Sequence, residues 1–184
     1  MINLNEVEVK GKNPVFNDGE AGEAVGKVSV EKKTTTDKSP DWNLFITDED
    51  GRALKEGFYY KNREAYASDE KFNNALKYEA AKLKHIINAL YGEIEFPLFQ
   101  TPKEMLDGCM NMIAKKTGTT VKVGVNYGTI QRPKNFLQLK STFPFITSNL
   151  EEPIKPAKND LMERPEPSAP KESTPDSMKM PWDD

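Results

Sequence analysis

Thr119-Thr120-Val121-Lys122-Val123-Gly124-Val125-Asn126-Tyr127 alternates between apolar and polar side chains almost without a break. That period of two is the mark of a strand with one face in the core. It points Val121, Val123 and Val125 inward and Lys122, Gly124 and Asn126 outward. A loop over 128–133 leads to a second strand at 135–142, with Leu137 and Leu139 inward and Phe136, Gln138 and Lys140 outward. Pro144 cannot donate to a ladder, so Phe143-Pro144-Phe145-Ile146 should close an edge. Upstream, the same pattern predicts strands at 27–31, 42–47 and 52–60. In the second of these, Trp42, Leu44 and Ile46 share one face and Asn43, Phe45 and Thr47 the other. Asp48-Glu49-Asp50-Gly51 reads as the hairpin turn between the second and third.

Between the third and fourth strands the period changes from two to that of a helix. Ser68 suits an N-cap, Asp69 and Glu70 suit the positive end of the dipole, and Gly92 suits the far end. Phe72, Leu76, Ala80, Leu83, Ile87 and Leu90 then form one apolar stripe. Thr101, Pro102 and Glu104 make the capping box of a shorter helix that turns Met105, Leu106, Cys109 and Ile113 inward. Three strands, two helices and two strands predict a mainly β, α+β fold: a five-stranded OB-like barrel with helices between strands 3 and 4. A β-sandwich with a helical insert would give the same string. Residues 1–26 read as an N-terminal extension, with a short strand around Leu4, Val7 and Val9 and loop signals at Asn17-Asp18-Gly19, Gly22 and Gly26. Residues 27–150 are the domain.

Composition bounds the rest. Of 184 residues 36% are hydrophobic, with a mean hydropathy of −0.71, too low for a chain packed throughout. The unpacked part is expected at 151–184, where seven prolines fall among Ser, Lys and Glu, and this tail reads as disordered. It holds nine acids against five bases, a charge of −4 that leaves +1 for residues 1–150 of the total of −3. No Asp or Glu occurs from Gly108 to Leu150, whereas Lys115, Lys116, Lys122, Arg132, Lys134 and Lys140 do. A basic body with an acidic tail points to a polyanion as ligand. No stretch is apolar enough to span a membrane, and no secretory signal is expected at the first residues. Cys109 and His85 are the only residues of their kinds, which leaves no structural zinc set and no intrachain disulfide. Each reads as a packed helix residue. No phosphate loop or metalloprotease motif occurs, and the Asp48-Glu49-Asp50-Gly51 turn lacks the bidentate Glu of a calcium loop. No enzyme activity, cofactor or metal is expected.

Single-stranded nucleic acid needs cations along its phosphates and aromatic faces for its bases. The outward residues Lys122, Phe136 and Lys140, with Tyr127, Arg132 and Lys134 around the connecting loop, supply both. Against this stands a Phe136 packed beneath the tail or a helix. Phe45, Tyr59 and Tyr60 could extend the platform or merely pair across the hairpin, and Trp42 suits the core better. Lys32, Lys33 and Lys38 could grip phosphate from the first long loop or simply be solvated.

With its basic strand pair and acidic, Pro-rich end, the chain resembles bacteriophage single-stranded-DNA-binding proteins. The Leu83-Lys84-His85-Ile86-Ile87-Asn88-Ala89-Leu90-Tyr91-Gly92 run and the Val-Lys-Val-Gly-Val strand resemble a phage recombination-associated group. The resemblance implies sequence-independent binding of single-stranded DNA in replication, recombination or repair, in the cytoplasm of an infected bacterium. It also implies a tail tip, Pro181-Trp182-Asp183-Asp184, that recruits replication or recombination proteins or covers the DNA groove. The acids here follow the aromatic, where the family usually places them before it. A homo-oligomer is left open. The alternative is a phage structural or adaptor protein that binds other proteins through its Pro-rich tail.

Overall fold

The computed structural model describes residues 15–34 and 40–166. The expected strand at Leu4, Val7 and Val9, the loop lysine Lys38, and the tip residues Pro181, Trp182, Asp183 and Asp184 lie outside them. The protein is mainly β: a curled antiparallel half-barrel sheet with two helices. Its strands are β1 (Gly22–Lys32), β2 (Trp42–Thr47), β3 (Ala53–Phe58), β4 (Thr120–Thr129), β5 (Arg132–Leu139) and the two-residue β6 (Ile146–Thr147). The helices α1 (Asp69–Tyr91) and α2 (Pro102–Ala114) fall between β3 and β4. The sheet order is β3-β2-β1-β4-β5, with β6 paired to β4 beyond the end of β5. The curl brings β3 and β5 together, but among the described residues no ladder joins them.

The caps behave as their chemistry dictates. Ser68 Oγ accepts from Lys71 N, Thr101 Oγ1 accepts from Glu104 N, and Gly92 ends α1 at φ +80°. The hairpin turn is held by Asp48, whose carboxylate accepts from Asp50 N at 3.1 Å and Arg52 N at 2.9 Å. One face of the sheet meets the helices. Val28, Leu44, Ile46, Leu54, Val121, Val123 and Val125 pack against Leu83, Ile86, Ile87, Leu106, Met110 and Ile113, all buried. Each such side chain contributes roughly 1.5–3 kcal/mol. The α1 stripe is deeper at its C-terminal end: Leu83, Ile87 and Leu90 are buried, while Phe72, Leu76 and Ala80 are half-buried. Asp107 ties α2 to the sheet, accepting from Trp42 Nε1 at 2.7 Å and Tyr60 OH at 2.6 Å. Burial pulls its carboxyl upward, but those donors and Lys32 outweigh it and hold it below the usual carboxylate range.

Three sequence expectations need correction. Residues 22–26, read as loop from their glycines, are the first half of β1. Gly26 is there for close approach: a Cβ on it would lie 2.7 Å from Ile46 Cγ2 and 2.8 Å from the Thr47 carbonyl. Strand β5 is set three residues earlier than expected, because Ile130 and Gln131 make a tight turn where a loop over 128–133 was read. The largest correction concerns residues 151–166, which are not a disordered tail. They lie along the outer face of β4, with Ile154 and Asp160 buried. Ile154 N donates to Glu23 Oε1 at 2.5 Å, and Tyr127 N and Ile130 N donate to the Leu161 and Asn159 carbonyls at 2.8 and 3.0 Å. The domain boundary therefore moves past residue 150.

Gly124 lies directly beneath this segment, where an added Cβ would be 2.8 Å from both Ile154 Cγ2 and Lys140 Cδ. Gly124→Val is therefore expected to lift residues 151–160, and limited trypsin digestion should then cut after Lys158 at concentrations that spare the wild type. Equal resistance would mean that the segment is not seated on β4.

His85 on α1 sets a pH dependence. Its Nε2 accepts from Phe145 N at 3.2 Å, and its ring meets Phe143 and Phe145 edge-on. Burial lowers its pKa from the ordinary 6.5, against a smaller opposing pull from Glu152. The folded state therefore prefers the neutral ring, and the unfolded chain takes up the proton first. Stability is fully present above pH 6.5 and is lost as pH falls from there through the lower folded value. Unfolding midpoints measured from pH 7.5 to 5 should fall more steeply for the wild type than for His85→Gln, which keeps an acceptor without titrating.

Candidate nucleic-acid interface

The outward face of β4 was expected to be the centre of a binding platform, and the chain's own C-terminal segment occupies it. Lys122 Nζ donates to the Glu152 carbonyl at 3.1 Å and lies 3.6 Å from Glu23. Lys140 is 3% exposed, with its Nζ donating to the Lys155 carbonyl. Tyr127 is buried and its hydroxyl donates to the Gly19 carbonyl at 2.5 Å. Asn126 is also covered: its Nδ2 donates to Asp160 at 2.9 Å and its Oδ1 accepts from Gly128 N at 3.0 Å. These corrections share one cause. Alternation reports which face a side chain is on, but not whether a later segment lies over that face.

What remains open is the projecting half of β5 and the seam beside it. Arg132, Lys134 and Phe136 lie along this half of β5, where its register with β4 shifts between Pro133 and Gln138. All three are exposed, Phe136 by 57%. Between β5, β3 and the turn Phe16–Gly19 lies a groove of about 740 Å³. Phe136, Leu137 and Asn135 form one wall, Ala53, Leu54 and Lys55 the other, and Arg52 and Arg164 stand at its rim. Among the described residues Lys55, Arg132, Lys134 and Arg164 have no ion-pair partner. Arg52 differs, since it is paired with Asp18, with Asp48 at 2.9 Å and with Asp50 at 2.6 Å.

The groove continues onto the outer face of the β1-β2-β3 hairpins. The register sets Ser29, Phe45 and Lys55 side by side, so half-buried Phe45 adjoins the lysine that faces Phe136 across the seam. Tyr59, 47% exposed, follows directly on the end of β3. Lys32 and Lys33 are not brought into this group as open cations. Lys32 pairs with Asp107 at 3.3 Å and lies 5.3 Å from the Trp42 ring centre, and Lys33 pairs with Glu31 at 3.3 Å. Trp42 itself is in the core, as expected.

Two groove residues were missed in the sequence. Lys55 could have been found, because the hairpin turn fixes the pairing of 42–47 with 53–58 and so places it beside Phe45. Arg164 could not, since the segment holding it reads as tail. No protein-family model matches the chain, and neither a curated protein nor a solved structure resembles it significantly.

The two residues with catalytic potential are accounted for by packing. Burial pushes the Cys109 thiol up to about 11, which leaves almost no thiolate at neutral pH. His85 is engaged as described above. Among the described residues no group of three His, Cys, Asp or Glu side chains could hold a metal ion, and no helix is long and apolar enough to cross a membrane.

Proposed function

We propose that this chain binds single-stranded DNA without a fixed sequence, through the seam between β3 and β5 and the adjoining face of β2 and β3. The observation that carries the reading is Phe136, a large aromatic left half in water in a groove shared with Lys55 and Arg164, with Arg132 and Lys134 exposed earlier on the same strand. An exposed ring gains nothing from solvent, and one set among unpaired cations has the two components of single-strand binding: a face for a base and charge for the phosphates. Phe45 and Tyr59 extend the stacking surface along the sheet. The strand order supports an OB-like barrel, because closing the seam between β3 and β5 would complete five strands around the core. In this reading the protein has no chemistry of its own. It covers exposed strand during phage replication, recombination or repair in the infected cell.

Fluorescence-anisotropy titration of labelled single-stranded and duplex oligonucleotides tests the proposal. Binding should favour the single strand and weaken as salt rises. Phe136→Ala should cost about 1–3 kcal/mol, and Lys55→Ala should reduce the salt slope by about one unit. No binding to either oligonucleotide would overturn the reading.

The acidic end is proposed to regulate access to this surface or to recruit partner proteins. Deleting all of 151–184 would test the wrong thing, since it removes Ile154 and Asp160 from the domain. A chain ending after Glu166 loses four acids and two bases instead. It should bind single strands more tightly and with steeper salt dependence, whereas unchanged affinity would leave the acidic end without that regulatory role.

A further inference from the structure

The outer face of the sheet holds two buried asparagines, and they differ in one respect. Asn126 spends its amide on Asp160 and Gly128. Asn43 is 0% exposed, and neither its Nδ2 nor its Oδ1 has a partner among the described residues. A buried amide left unpaired is destabilising, and a leucine has the same branched shape without that penalty. A residue kept at such cost in a strand of Leu, Phe and Ile calls for an explanation other than packing.

Its surroundings supply one. Asn43 is flanked across the sheet by Glu31 and Gly57, and Phe45 is next on the same face. A Cβ on Gly57 would lie 2.5 Å from Pro40 Cγ and 3.8 Å from Tyr59 Cε2, so the Pro40 ring and the edge of Tyr59 cover the neighbouring position. The Pro40 ring and the edge of Tyr59 thus cover the position paired with Asn43, and Phe45 follows it on the same face of β2. An aromatic wall with a carboxamide floor is the chemistry that holds an unstacked base, the ring by its face and the amide by donating and accepting at its edge. The amide's donor and acceptor together match the N6 and N7 positions of adenine.

We propose that Asn43 is a specificity-determining residue of the single-strand surface, reached when the Pro40 ring moves aside, and that its amide reads an adenine edge. This rests on the binding reading above and adds one base-sensing position to an otherwise sequence-tolerant surface. The test compares the wild type with Asn43→Leu, and with Asn43→Val in case leucine overfills the site. Unfolding midpoints are read alongside affinities for deoxyadenosine and deoxythymidine 12-mers. Removing the unpaired amide should raise the midpoint by about 2–8 °C. The ratio of adenine to thymine affinity should fall by at least about fivefold.

A higher midpoint with an unchanged ratio would overturn the proposal and leave single-strand binding standing. A lower midpoint in both variants would overturn it too, since the amide would then be satisfied in the folded protein. A wild type that binds neither oligonucleotide would remove the binding reading itself, and this inference with it.

Discussion

Strand β4 has no side facing water along most of its length, and the other elements are placed by what that requires. Its backbone needs partners at both edges, which β1 supplies on one and β5 and β6 on the other. Its valines need an apolar cover, which α1 and α2 supply. Its polar face carries a lysine and an asparagine, which cannot be buried without hydrogen bonds, and a glycine that lets the cover approach closely. Residues 151–161 meet that need with carbonyls and a carboxylate rather than with apolar bulk. Central strands of this kind are usually apolar on both faces. Here the second face is polar, so its cover is a hydrogen-bonding strap instead of another layer of helix.

That arrangement explains why the fold could be read more fully than the site. The strands, the hairpin turn, both helix caps and the inward valines follow from local rules that act within about ten residues. Gly26 misled because the same residue type marks a loop and a close approach, and only the position of Ile46 and Thr47 separates the two. Lys122 and Lys140 misled for a different reason. Their alternation placed them correctly on the outer face, but the cover over that face comes from a proline-rich stretch whose composition reads as disorder. Ile154 is almost alone there as an apolar anchor. The strap is held chiefly by backbone hydrogen bonds, which leave no mark in composition.

The electrostatic consequence is a change of scale. A stretch of 43 residues without a carboxylate looks like a continuous basic face. Once Lys122 and Lys140 are engaged by the strap, the cations left at the seam come from three separated parts of the chain. Arg132 and Lys134 come from a hairpin tip, Lys55 from an edge strand, and Arg164 from beyond the strap. In the proposed binding reading such a patch would hold fewer phosphates than the sequence suggests, and aromatic stacking would carry more of the affinity.

The pairing of β1 with β4 also sets the order in which this protein can assemble. Gly22 finds its partner Val125 about 100 residues later, a separation that makes folding slow relative to helical domains of the same size. During synthesis, β1, β2 and β3 can form a meander early, but the central strand reaches them only after both helices have emerged. The strap must follow still later. Until it docks, Lys122, Asn126 and Lys140 lack their strap partners on a sheet already closed on its other side. The last stretch to be made is therefore the one that completes the domain, and a ribosome stalled before residue 160 would leave an incomplete fold with an open polar face.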